Sequence, residues 1–157
     1  MNYYTNKQLL NFWENKFHFL NIDKKDKVFY LTLNRANKKN ALHPQMQNEI
    51  AFCFDYISQD NEIKLVVIQS TGDTFSAGAD LKALSNNIEP HTSTIPDPNK
   101  KIILGNLFNN LYKPKLAIVE GNVYAGGCLI VAGCNYVLSL KDITCLLYTS
   151  PSPRDRG

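Results

Sequence analysis

A chain of 157 residues, 44% hydrophobic and 20% charged with a net charge of +3, has the balance of an ordinary globular protein and the length of one domain. Its basic residues fall in scattered small groups (Lys24, Lys25 and Lys27; Lys38 and Lys39; Lys100 and Lys101), which argues against a nucleic-acid partner. No apolar run approaches the ~18 residues of a membrane span, and four cysteines without C-x-x-C spacing beside dispersed histidines suggest neither a metal site nor a disulfide framework; a reduced, cytoplasmic setting is the expectation.

Leu9, Leu10, Phe12 and Trp13 could form the apolar side of a short helix. Residues 17–22 alternate, residues 23–26 read as a turn, and residues 28–33 are rich in β-branched and aromatic types, which predicts an antiparallel hairpin. The polar stretch 34–40 is a loop. Beyond it, Pro44 opens a segment in which Met46, Ile50, Cys53, Phe54 and Ile57 recur at helical spacing, so an amphipathic helix is expected from about His43. Residues 64–69 form a short apolar run of the kind covered on both faces in a sheet.

That strand delivers the chain to a run of small residues, 71–81, after which a helix starts at Leu81 and fades. Between 86 and 99, Pro90, Pro96 and Pro98 among polar neighbours forbid regular structure and predict a mobile loop. Ile103, Leu107 and Leu111 share a helical face that Pro114 closes. Residues 116–119 then read as a second buried strand, residues 120–128 as a second small-residue turn, 128–133 as a helix and 136–140 as a strand. Two strand, turn and helix units after a hairpin and a helix point to an α/β domain with ligand sites at the strand C-termini. From Cys145 the composition changes abruptly to Ser, Pro and Arg, so the domain is taken as residues 1–144 and residues 145–157 as an unrelated tail on a truncated coding sequence.

Taken alone, Gly126-Gly127 is a tight strand-to-helix turn; a dinucleotide-binding turn is set aside because the G-x-G-x-x-G spacing is missing. Asp80 at a helix start is read as a cap before a catalytic acid, Glu120 as support for its turn, and Cys128 and Cys134 as buried hydrophobes. His18 and His43 receive no role.

Asn34-Arg35 with Asn40-Ala41-Leu42, then Phe75-Ser76-Ala77-Gly78-Ala79-Asp80-Leu81, then Gly121-Asn122-Val123-Tyr124-Ala125-Gly126-Gly127-Cys128, resemble in content, order and spacing the enoyl-CoA hydratase/isomerase (crotonase) superfamily. The resemblance implies a crotonase-like spiral of ββα units, incomplete at its C-terminus, holding an acyl-CoA thioester whose carbonyl accepts hydrogen bonds from the backbone amides of Ala79 and Gly126. It further implies that Lys39, Ala41, Leu42, Ala77, Asp80 and Leu81 lie along the coenzyme A part of the substrate. No cofactor or metal beyond that substrate is implied, and the complete parent is expected to be a homotrimer or hexamer. Leu129 stands where hydratases of the family carry a catalytic Glu, and leucine moves no proton. The family's later acidic residue does not appear before the tail. A non-catalytic CoA-binding or interaction domain, or an inactive truncated fragment, is therefore the alternative expectation.

Overall fold

The computed structural model describes residues 2–147. The chain opens with α1 (Asn6–Leu9), a 3-10 turn (Phe12–Glu14), β1 (Leu20–Lys25), β2 (Val28–Leu33), a second 3-10 turn (Ala36–Lys38) and α2 (Pro44–Gln59). It continues through β3 (Leu65–Ser70), β4 (Thr74–Ser76), α3 (Leu81–Leu84), α4 (Leu104–Asn110), β5 (Lys115–Val119), β6 (Asn122–Tyr124), α5 (Gly126–Ala132), β7 (Tyr136–Ser139) and β8 (Cys145–Leu146).

Two sheets share these strands. The larger has the order β1-β2-β3-β5-β7, antiparallel only between β1 and β2; the smaller is β4-β6-β8, parallel throughout. After the β1–β2 hairpin, each pass of the chain adds one strand to the first sheet and the next to the second, which is the expected spiral with a partial α/β fold. Phe29, Leu31, Leu33, Val66 and Ile68 of the large sheet and Met46, Ile50, Phe54 and Ile57 of α2 are buried in one core. Full burial of each such side chain contributes about 1.5–3 kcal/mol. Phe12 from the N-terminal turn stacks on Phe52 and Tyr56 of α2 with centroids 5.2 and 3.9 Å away. No helix among the described residues is long and apolar enough to cross a membrane.

The first strand begins three residues later than its alternation suggests. The amides of His18, Phe19 and Leu20 donate to the carboxylate of Glu49, which is fully buried on α2, so the chain around residues 17–19 is fastened to a helix, and the ladder starts at Leu20 opposite Leu33. Lys25 pairs with Val28, so the hairpin turn is Asp26-Lys27, with Asp26 at φ 54°, instead of residues 23–26. The strands β4 and β6 are three residues each and lie inside the two stretches read as small-residue turns. The loop 86–99 is irregular, as its prolines require, but it is tied down. Thr94 exchanges hydrogen bonds with Lys16, Asn99 donates to the Tyr3 carbonyl, and Ile95 is buried.

Cys145 and Leu146, assigned to the tail, form β8. The Val123 amide donates to the Thr144 carbonyl at 2.8 Å and the Ala125 amide to the Leu146 carbonyl at 2.7 Å, so ladder pairing continues two residues past the compositional break. The rest of the proposed tail, from residue 148, lies outside the described residues.

Candidate functional site

The site is framed by the loop between β2 and α2. Lys39 and Asn40 both adopt left-handed backbone conformations, φ 51° and 52°, a region that Asn tolerates better than most residues. Asn40 is fully buried and uses all of its side chain. Its carbonyl oxygen accepts from the Arg35 amide at 2.8 Å, and its amide nitrogen donates to the carbonyls of Thr71 and Thr74, each at 2.8 Å. Ser76 at the end of β4 donates through its hydroxyl to the Asn40 carbonyl at 2.9 Å. The loop is thereby locked against the first small-residue turn.

Two backbone segments then face each other. Ser76 of β4 pairs with Val123 of β6, and Ala79 and Gly126 each lie three residues beyond their paired strand residue (79 − 76 and 126 − 123). Gly78 sits at φ +90°, where an added Cβ would stand 2.9 Å from the Ala125 Cβ and 3.1 Å from the Gly126 nitrogen. A Cβ on Gly126 would stand 3.6 Å from the Ala79 nitrogen and 3.3 Å from Leu42 Cδ1. This close approach is what the small residues permit. Among the described residues, neither the Ala79 nor the Gly126 amide donates to a protein acceptor. Two free donors held this near each other can share one acceptor oxygen.

A cavity of about 730 Å³ lies beside them, lined by apolar Ala41, Ala77, Ala79, Leu81, Ile88, Pro90 and Ala125 and by charged Arg35, Lys38, Asp80, Lys82 and Glu89. Of the residues expected along coenzyme A, Ala41, Ala77, Asp80 and Leu81 therefore line one cavity. Lys39 and Leu42 do not line it: the Lys39 carbonyl accepts from the Ala77 amide at 2.9 Å, and buried Leu42 donates through its amide to the Gly78 carbonyl at 2.8 Å. Both support the wall from behind. Gly126 enters through its neighbour Ala125.

Asp80 caps α3, accepting from the Lys82 amide at 3.0 Å, and pairs with Arg35 at 2.8 Å. Burial works to raise its pKa, but Arg35 and the cap amides together bring it below the ordinary carboxylate value. Glu89 also binds Arg35, which holds its pKa down. Both carboxylates of the cavity are thus engaged by one guanidinium. Leu129 on α5 is exposed and offers no ionisable group. Among the described residues no group of acids, cysteines and histidines is placed to hold a metal.

Sequence reasoning missed the functions of Arg35, Glu89 and Ala125 in this wall. Arg35 was visible beside Asn34 in a motif, and its partner Asp80 in another, but nothing in spacing joined them. Glu89 lies in a loop without periodicity and carries no local signal.

A family profile described as enoyl-CoA hydratase/isomerase matches residues 23–142. The mitochondrial Delta(3,5)-Delta(2,4)-dienoyl-CoA isomerase of Pongo abelii is 31% identical over 124 residues, covering 73% of this chain and 38% of the relative. The short-chain-enoyl-CoA hydratase of Clostridium acetobutylicum is 33% identical over 121 residues, 73% of this chain and 43% of the relative. The solved structure of an enoyl-CoA hydratase/isomerase from Pseudoalteromonas atlantica superposes with a TM-score of 0.65 at 27% identity, covering 77% of this chain and 46% of the other. The chain spans less than half the length of each of these three.

Proposed function

Because the chain belongs to the enoyl-CoA hydratase/isomerase (crotonase) superfamily, we propose that its cavity binds an acyl-CoA thioester and that the Ala79 and Gly126 amides polarise the thioester carbonyl. The observation that carries this reading is the pair of unengaged amides at equal distances beyond paired strand residues. Coenzyme A enters as part of the substrate, running along Ala41, Ala77 and Leu81 on a wall backed by Lys39 and Leu42. When water adds to an enoyl thioester or an α-proton leaves, negative charge grows on the carbonyl oxygen. Two fixed N–H groups near 3 Å stabilise that charge, and removing one such donor typically costs about 2.7–4 kcal/mol of barrier. In the complete protein, proposed to be an enoyl-CoA hydratase or isomerase assembled as a trimer or hexamer, an acid or base outside this cavity wall moves the proton, since both wall carboxylates are held by Arg35.

Calorimetric titration tests the polarising pair. The chain is expected to bind crotonyl-CoA more tightly than free coenzyme A, and Gly126→Val, whose side chain would crowd the Ala79 amide and Leu42, is expected to erase that preference. A preference that survives in a folded Gly126→Val protein would exclude this assignment.

A second reading, a CoA-binding or interaction domain without catalysis, is favoured by Leu129 at the acidic position and by the engagement of both wall carboxylates with Arg35. Turnover of crotonyl-CoA by the complete protein rules this reading out; saturable binding by the complete protein with no turnover supports it.

A further inference from the structure

Arg35 is costly to bury, and the way it is buried is informative. The residue is only 6% exposed, its guanidinium lies over the Phe19 ring at 5.3 Å, and its Nε finds no acceptor among the described residues. An ion taken out of water is tolerated when its partners are close and well aligned. Here the terminal nitrogens alone hold it. One donates to the Ala41 carbonyl at 3.0 Å and pairs with Asp80 Oδ2 at 2.8 Å; the other pairs with Glu89.

Those partners belong to three different parts of the cavity. Ala41 comes from the loop after β2, Asp80 directly follows the Ala79 amide, and Glu89 belongs to the irregular segment after α3. On the opposite side of the same peptide, the Leu42 amide donates to the Gly78 carbonyl, bridging Leu42 to Ala79. The Ala79 peptide is therefore gripped from both flanks. With two carboxylates against it, the guanidinium has little net charge to offer a ligand, so its contribution to the site is mechanical.

We infer that Arg35 is a positioning residue for the acyl-CoA site, stapling Ala41, Asp80 and Glu89 so that the Ala79 amide keeps its aim toward the oxygen it shares with Gly126. The inference rests on the reading under Proposed function and deepens it. A lysine cannot substitute, because one ammonium lacks the planar fork that reaches carbonyl and carboxylates together.

The experiment is infrared spectroscopy of bound crotonyl-CoA isotope-labelled at the thioester carbonyl, combined with amide NMR of the ligand-free chain. In the native protein the bound carbonyl band moves to lower frequency. In Arg35→Met most of that displacement is lost, and the Ala79 and Asp80 amide signals broaden while those of Phe29 and Ile50 stay sharp. Arg35→Lys does not restore the displacement, and Lys24→Ala, which removes a surface ion pair with Asp60, leaves it intact. If Arg35→Met does not fold, Asp80→Asn carries the same comparison, since it keeps a capping oxygen but weakens the pair, and a partial loss is expected. Full displacement in either variant overturns the inference. A native protein whose carbonyl band does not move defeats the proposed function instead. The staple then still stands or falls on the NMR: an unchanged Ala79 amide in Arg35→Met, or in Asp80→Asn, overturns it.

Discussion

Ala125 occupies φ 45° and ψ −116°, a conformation that glycine adopts freely and an L-residue adopts only under strain of about 1–3 kcal/mol. Hydrogen bonds on both its polar groups hold it there: its amide donates to Leu146, and its carbonyl accepts from Cys128 at 2.9 Å. Ala125→Gly should therefore raise stability. Relief of strain, less the added freedom of the unfolded chain, leaves a gain of about 1 kcal/mol, or roughly 2–4 °C in melting temperature for a chain of this size. A lower melting temperature would show that the alanine is not strained. Gly78→Ala should act in the other direction, since its φ of +90° and the 2.9 Å approach to the Ala125 Cβ both oppose a side chain. The two positions also differ in legibility. Gly78 announces an unusual backbone by being glycine, whereas Ala125 carries no such sign, so the residue that turns the chain into α5 could not be picked out beforehand.

The helix α2 was the most readable element, because sixteen residues give its apolar period room to repeat and Pro44 marks its start. The three-residue strands β4 and β6 were not, since so short a segment of mostly small or mixed residues has no period to detect. The α2 cap brings a pH dependence that the sequence also hid. Buried His43 accepts the Gln45 amide on Nδ1 at 3.0 Å and lies 2.9 Å through Nε2 from the Glu89 carbonyl, an arrangement that suits a neutral ring. Burial chiefly lowers its pKa from the ordinary 6.5, with Arg35 and His91 acting the same way against the Glu89 carbonyl and Asp80. The unfolded chain then takes up a proton near pH 6.5 that the folded chain refuses. This contribution to stability is fully present above that value and declines as pH falls below it. Urea unfolding across this range should show the decline. His43→Asn, which keeps a capping oxygen, should start less stable and lose this part of the slope; an identical slope would assign it to other groups.

At the scale of the whole molecule, the alternation of passes between two sheets was legible only through the resemblance, because local patterns cannot say which sheet a strand joins. Among the described residues β7 ends the large sheet, and all four of its residues are exposed, Tyr136 at 66% and Leu138 at 60%. An edge of this kind invites pairing with other chains. Light scattering should find concentration-dependent association, and Leu138→Lys should reduce it; association unaffected by that change would move the interface elsewhere. Strand pairing in the small sheet leads to the cavity. Ala79 and Gly126 each lie three residues beyond a paired residue of neighbouring parallel strands, and a Cβ built on Gly126 would stand 3.6 Å from the Ala79 nitrogen. The separation of the two amides is thus set by backbone that two parallel strands carry, so side-chain changes block or tilt the site more readily than they widen it.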